Sequence, residues 1–130
     1  MDEAMKMENL SKQRKLIADY PHIEQLLNSI PMINLILNEE TQIVFSSATA
    51  TQAAGKSDYE KVIGLRPGDA LSCFHARASG RCGTTENCNL CGARKTVKHA
   101  IEFNEAANGE CRINVSKNGR IVAQDFAVYA

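Results

Sequence analysis

The sequence predicts an α+β fold, an antiparallel sheet with its helices gathered on one side. Three observations carry this. Strand-like runs rich in β-branched residues occur in two pairs, within residues 33–45 and 111–129, each pair joined by a short polar connection. Helical periodicity fills the stretch before the first pair and much of the stretch between the two. Strands do not alternate singly with helices, as the crossovers of a parallel sheet require.

Residues 1–20 are polar and rich in helix formers, with apolar positions Met5, Leu10, Leu16, Ile17 and Tyr20 only loosely in a stripe, and they predict a helix. Pro21 interrupts it. Ile23, Leu26, Leu27 and Ile30 then stand at i, i+3, i+4 and i+7, a second helix that Pro31 terminates. This leader is either a solvated segment or a helical element that pairs with a second copy of the chain. Ile33, Leu35 and Leu37 alternate with Asn34, Ile36 and Asn38; Glu39-Glu40-Thr41 follows, then Ile43-Val44-Phe45, and together they predict a hairpin. Ala48 to Ala54 reads as a helix of small residues ending at Gly55. Ser57-Asp58-Tyr59-Glu60 matches a capping box for another helix, stopped at Gly64. Arg66-Pro67-Gly68-Asp69 predicts a turn, and residues 73–92 a cysteine-bearing loop. Ala93, Val97, Ala100 and Ile101 mark one face of a long helix. Cys111 to Val115 and Ile121 to Tyr129 are strand-like, with Lys117-Asn118-Gly119-Arg120 between them, where Asn-Gly supplies the positive φ angles of a tight turn.

Composition limits what such a domain can do. Its 130 residues fit one domain that can bury a core but cannot hold sensing and catalytic domains together. Fifteen basic residues balance fifteen acidic ones, so no net field draws the chain to nucleic acid or to an anionic membrane. The apolar runs are short, and the start Met1-Asp2-Glu3 is acidic where a secretory signal is basic. These features predict a cytoplasmic location with neither nucleic acid nor membrane as partner. Five cysteines, four of them within nineteen residues, suggest a metal site or redox switch more than a secreted disulfide framework.

The element order, with Ser29-Ile30-Pro31 ahead of the first strand, Ile43-Val44-Phe45-Ser46-Ser47 after its turn and Val62-Ile63-Gly64-Leu65-Arg66-Pro67-Gly68 in the middle, resembles the PAS family of sensory domains over residues 27–130. Residues 1–26 then form an N-terminal helical segment preceding the PAS-like domain. The stretch Gly64 to Gly92, through Cys73-Phe74-His75-Ala76, Cys82-Gly83-Thr84-Thr85 and Cys88-Asn89-Leu90-Cys91-Gly92, is similar to a cysteine-bearing PAS subgroup of bacterial signalling proteins, often joined to histidine kinases. The resemblance implies a five-stranded antiparallel sheet enclosing a pocket, and a sensor or interaction module whose output passes to a histidine kinase or another output domain. It also implies three strands after the long helix where the sequence shows two. The final, central strand is missing from the expected set, and its absence would be made good by a truncated segment or by strand donation from another chain.

Cys73, Cys82, Cys88 and Cys91 are separated by eight, five and two residues. Cys88-x-x-Cys91-Gly92 can form a knuckle that turns two sulfurs toward one ion, and the other two thiolates complete the set of four that tetrahedral zinc and iron-sulfur clusters both require. Spacing does not separate the two metals. His75 is a reserve ligand or a plain packing histidine, and Cys111 a reserve ligand or an inert buried thiol. The competing chemistry is a disulfide between Cys88 and Cys91, with Arg77, Arg81, Arg94 and Lys95 nearby to favour thiolates. Covalent haem attachment would need His at position 92, where Gly stands. His99 falls off the apolar helix face, and nothing chemical rests on His22. No phosphate-binding loop, metalloprotease helix or nucleophile elbow occurs, so no enzymatic role is expected. The expectation is a sensor of redox state, oxygen or metal, dimeric through its N-terminal helices or its sheet. The alternatives are an interaction module stiffened by structural zinc, or a PAS pocket for a small ligand.

Overall fold

The computed structural model describes residues 3–73 and 91–130. It is a mixed helix and sheet protein whose chain divides into two compact units, Met1–Leu65 and Arg66–Ala130. The described strands form two antiparallel hairpins, each its own two-stranded sheet. Both pairings are those expected from the sequence; the single five-stranded sheet of the PAS resemblance is not formed among the described residues.

In the first unit, α1 (Glu3–Ala18) and α2 (Ile23–Ser29) precede β1 (Leu35–Leu37) and β2 (Ile43–Ser46). The apolar side chains of α1 do not share one face: Leu10 and Ile17 are half-buried while Met5, Met7 and Leu16 are exposed. What ties α1 down is largely polar. Asn38 Nδ2 donates to Gln13 Oε1 at 3.0 Å, and the Arg14 guanidinium pairs with the Glu60 carboxylate. β1 and β2 pair with Leu35 opposite Ser46 and Ile36 opposite Phe45, with an irregularity before Leu37. Asn38 closes the connection, its Oδ1 accepting from the N–H groups of Glu40 and Gln42 at 3.0 and 2.9 Å.

β2 is the centre of this unit. Ile43, Val44, Phe45 and Ser46 are all buried, so the strand is covered on both faces, which its continuous apolar run demands. Its second edge is filled by the chain at and just beyond the stop of the expected helix: Gly64 N donates to Ile43 O and Ile43 N to Leu65 O, both at 2.8 Å. The helix expected from Ser57 to Gly64 is therefore reduced to a single 3₁₀ turn, Tyr59–Lys61, capped by Asp58 Oδ1 rather than Ser57. Gly64 leaves that turn with φ 88°, a conformation costly for any residue with a Cβ.

α3 (Ala48–Ala53) starts on Ser47, which is 1 % exposed. The Ser47 hydroxyl oxygen accepts from Ala50 N at 3.2 Å and from Asn34 N at 3.1 Å, joining the helix start to the approach to β1. Replacing Ser47 with alanine leaves two backbone donors without this acceptor, and a loss of about 2 kcal/mol in unfolding free energy is expected. Urea unfolding followed by circular dichroism measures it, and an unchanged midpoint would remove Ser47 from this role.

The second unit opens with α4 (Pro67–Ala70), a short helix where the sequence predicts only a turn. Proline at the first helical position and the Asp69 carboxylate, accepting from Arg66 N at 3.3 Å, start it. α5 (Gly92–Phe103) is followed by β3 (Asn108–Lys117) and β4 (Arg120–Tyr129), joined at Asn118 and Gly119 with φ 50° and 77°. Period-two alternation sends Cys111, Ile113 and Val115 inward, where Leu71, Cys73, Ala93, Phe126 and Val128 pack against them. On the opposite face Arg112 grips Asp125, its cross-strand neighbour, with two bonds of 2.7 and 3.1 Å. The inward face of α5 differs from the apolar positions expected of it, since Ile101 is exposed and the buried residue is Thr96. Thr96 satisfies its hydroxyl by donating to Gly92 O at 2.7 Å. Among the described residues no helix is long and apolar enough to cross a membrane.

Candidate thiol site

Three of the five cysteines lie in the described part of the second unit, all as free thiols: Cys73, Cys91 and Cys111. Cys82, Cys88 and His75 of the expected ligand set, with Arg77 and Arg81, lie outside the described residues.

Cys73 follows α4, and its N–H donates to Gly68 O at 2.8 Å, which fixes the backbone coming off the helix. It then forms an isolated antiparallel bridge with Val115, so the chain entering the cysteine segment is held against β3. Cys91 is the N-cap residue of α5, with extended backbone angles of φ −68° and ψ 120°. The chain leaving the segment is also held against β3, through glycine. A Cβ added to Gly92 would overlap the Glu110 carbonyl oxygen, stand 2.9 Å from its carbon and 3.4 Å from Cys111 Cβ. Gly109 makes the reciprocal approach, its Cα facing the Thr96 hydroxyl. The two glycines bring the start of the helix onto the strand at Cys111.

Cys111 is therefore set among the other two described thiols. It is 9 % exposed and stands near the Ala93 backbone N–H in the first turn of α5. Burial pushes its thiol above the usual cysteine range, the neighbouring Cys91 sulfur adds to the rise, and the Ala93 N–H opposes it. Cys73 acts in the same direction as Cys91 with a smaller effect. Cys111, the reserve ligand of the sequence reading, comes near the start of α5 because Gly92 and Gly109 permit the close approach of helix and strand.

Among the described residues no group of three or more His, Cys, Asp or Glu side chains is arranged to hold a metal ion. Cys73 and Cys91 flank the segment whose sequence carries Cys82 and Cys88. His99 is exposed, as its place off the apolar face predicts. It contacts Glu105 Oε1 through Nε2 at 2.8 Å and the ring of Phe103 at a centroid distance of 4.6 Å.

The first unit holds a separate open cavity of about 400 Å³. Glu24, Asn28, Phe45, Ser46, Thr51 and Lys56 are among its walls. At its base the Ser46 and Thr51 hydroxyls bond to each other at 3.0 Å. Comparison with protein-family models, with curated proteins and with solved structures found no match.

Proposed function

We propose that the chain is a non-catalytic, PAS-like sensory module in which the thiolates of Cys73, Cys82, Cys88 and Cys91 hold an iron-sulfur cluster or a zinc ion. His75 and Cys111 are the reserve ligands. The observation that carries the reading is the anchoring of Cys73 and Cys91 on one strand: the first bridges Val115, and the second begins a helix seated on Glu110 and Cys111. A metal bound between them stabilises the intervening segment outright, because four thiolates converge only when the chain is folded around them. Bound there, an iron-sulfur cluster would supply redox and oxygen sensitivity, and zinc a rigid clamp. A change at the thiolates bears directly on α5, whose N-cap is Cys91, and through it on β3. The output passes to a partner or an attached domain such as a histidine kinase, with two copies joined through the N-terminal helices or a sheet.

Elemental analysis and a visible spectrum on protein purified without oxygen, before and after exposure to air, test this. Iron with sulfide and an absorption band that bleaches in air is the result expected of an oxygen or redox sensor. Colourless protein with stoichiometric zinc supports the zinc-stiffened interaction module instead. Folded protein without metal overturns the four-thiolate site, and the reading then moves to the cavity of the first unit. The charged Glu24 and Lys56 and the paired hydroxyls of Ser46 and Thr51 favour a small polar ligand there.

A further inference from the structure

We propose that the turn between β3 and β4 is a site of spontaneous modification, where Asn118 closes onto the backbone nitrogen of Gly119, loses ammonia and becomes isoaspartate and aspartate. The same dipeptide at Asn108-Gly109 is kept unreactive by the fold. The proposal is independent of the thiolates and of any metal they hold.

Asparagine before glycine is the pair in which this closure is least hindered, because glycine puts no Cβ beside the attacking nitrogen and leaves the peptide free to turn. The sequence holds two such pairs, Asn108-Gly109 and Asn118-Gly119. What separates them is the use each glycine nitrogen already has. Ala107 and Ala130 exchange both backbone hydrogen bonds at 2.8 Å, and the register from there to Lys117 opposite Arg120 runs without a break. Bonded pairs alternate along an antiparallel ladder, so the next one is Gly109 with Val128, and Gly109 N donates to Val128 O. Gly109 is also covered by α5, its Cα facing the Thr96 hydroxyl. Attack by that nitrogen requires the hairpin to open first. Asn118 and Gly119 stand outside the ladder, beyond its last pair. Both are exposed, with φ 50° and 77°, and among the described residues no backbone carbonyl accepts from Gly119 N–H. A Cβ on Gly119 would meet nothing within 4 Å, so the tip is free to rotate the nitrogen toward the Asn118 side chain while the strands stay paired.

The step consumes water and releases ammonia, with no change of oxidation state. Hydroxide takes the Gly119 N–H proton, the nitrogen attacks Asn118 Cγ, and the bond from Cγ to Nδ2 breaks as ammonia leaves with a proton from water. Water then opens the cyclic imide. Cleavage between Cγ and the Gly119 nitrogen restores the ordinary backbone as aspartate; cleavage between the Asn118 backbone carbonyl carbon and that nitrogen leaves the chain running through Cγ as isoaspartate. A two-residue turn is matched to the twist of its strands and does not accommodate the extra backbone carbon, so isoaspartate loosens the Lys117–Arg120 end of the hairpin.

The test ages the full chain at body temperature in mildly alkaline buffer, once folded and once unfolded in guanidinium chloride. Digestion after glutamate cuts at Glu105 and Glu110 and puts the two asparagines on separate peptides, whose amide, aspartyl and isoaspartyl forms are resolved by chromatography and mass spectrometry. In the folded protein Asn118 is expected to react at least about tenfold faster than Asn108, a ratio that a local opening cost of about 1.4 kcal/mol already supplies. In guanidinium chloride the two rates should converge, because only the fold tells them apart. A folded ratio below tenfold overturns the proposal, as does an Asn118 that reacts only when unfolded, which would mean that the turn itself protects it. A ratio that persists in guanidinium chloride would assign the difference to the neighbouring residues and overturn it as well.

Discussion

Replacing Gly92 with alanine is expected to destabilise the Arg66–Ala130 unit by about 3 kcal/mol, an overpacking cost at the upper end of the usual range. The added methyl group would overlap the Glu110 carbonyl oxygen and stand 2.9 Å from its carbon, and both are backbone atoms of β3 that cannot swing aside. Relief requires α5 to move off the strand. That motion withdraws Ala93 from the core around Cys111, Ile113 and Val115. The gain in helix propensity from glycine to alanine is at most about 1 kcal/mol in a helix interior, and it is smaller at the first helical position, so it does not offset the clash. Gly109→Ala is the control. Its methyl group would press on the Thr96 hydroxyl, the tip of a side chain that can rotate, although rotation sacrifices the bond to Gly92 O. The order of stability should therefore be wild type, Gly109→Ala, Gly92→Ala, as read by urea midpoints. A Gly92→Ala protein as stable as the wild type would mean that α5 does not seat on Glu110.

Where alternation and turn chemistry point the same way, sequence and structure coincide. The inward set Cys111, Ile113 and Val115 follows from period-two alternation, and Asn118-Gly119 supplies the two positive φ angles that the hairpin needs. Residues 57–64 are the opposite case. Their local signals favour a helix, but β2 has an open edge, and the backbone of Gly64 and Leu65 is spent on Ile43 instead. A segment's own propensity carries no information about a strand edge supplied twenty residues earlier. Thr96 was equally hidden: a polar residue is placed outside by any periodicity argument, yet its hydroxyl is satisfied by the turn below it and faces glycine rather than a side chain. For the thiols, spacing selects Cys73, Cys82, Cys88 and Cys91 because they are close along the chain. Cys111 reaches the start of α5 only through tertiary contact, where Gly92 lies against it.

Removing the metal of the proposed site, by a chelator or by Cys82→Ser, is expected to have the largest effect of all. Structural four-thiolate zinc carries an apparent binding free energy on the order of 10 kcal/mol near neutral pH, comparable to the whole stability of a small domain. The second unit has little with which to absorb that loss, because its buried apolar residues are few: Ala70, Cys111, Ile113 and Val115 among those described. The first unit keeps its own core of Ile43, Val44, Phe45, Ala50 and Val62, none of which depends on a cysteine. Amide hydrogen exchange separates the two. After chelation, protection should collapse at Ile113 and Val115 and persist at Ile43 and Phe45, and restoring the metal should restore it. Protection at Ile113 and Val115 that survives chelation would show that the thiolates do not carry the fold of this unit.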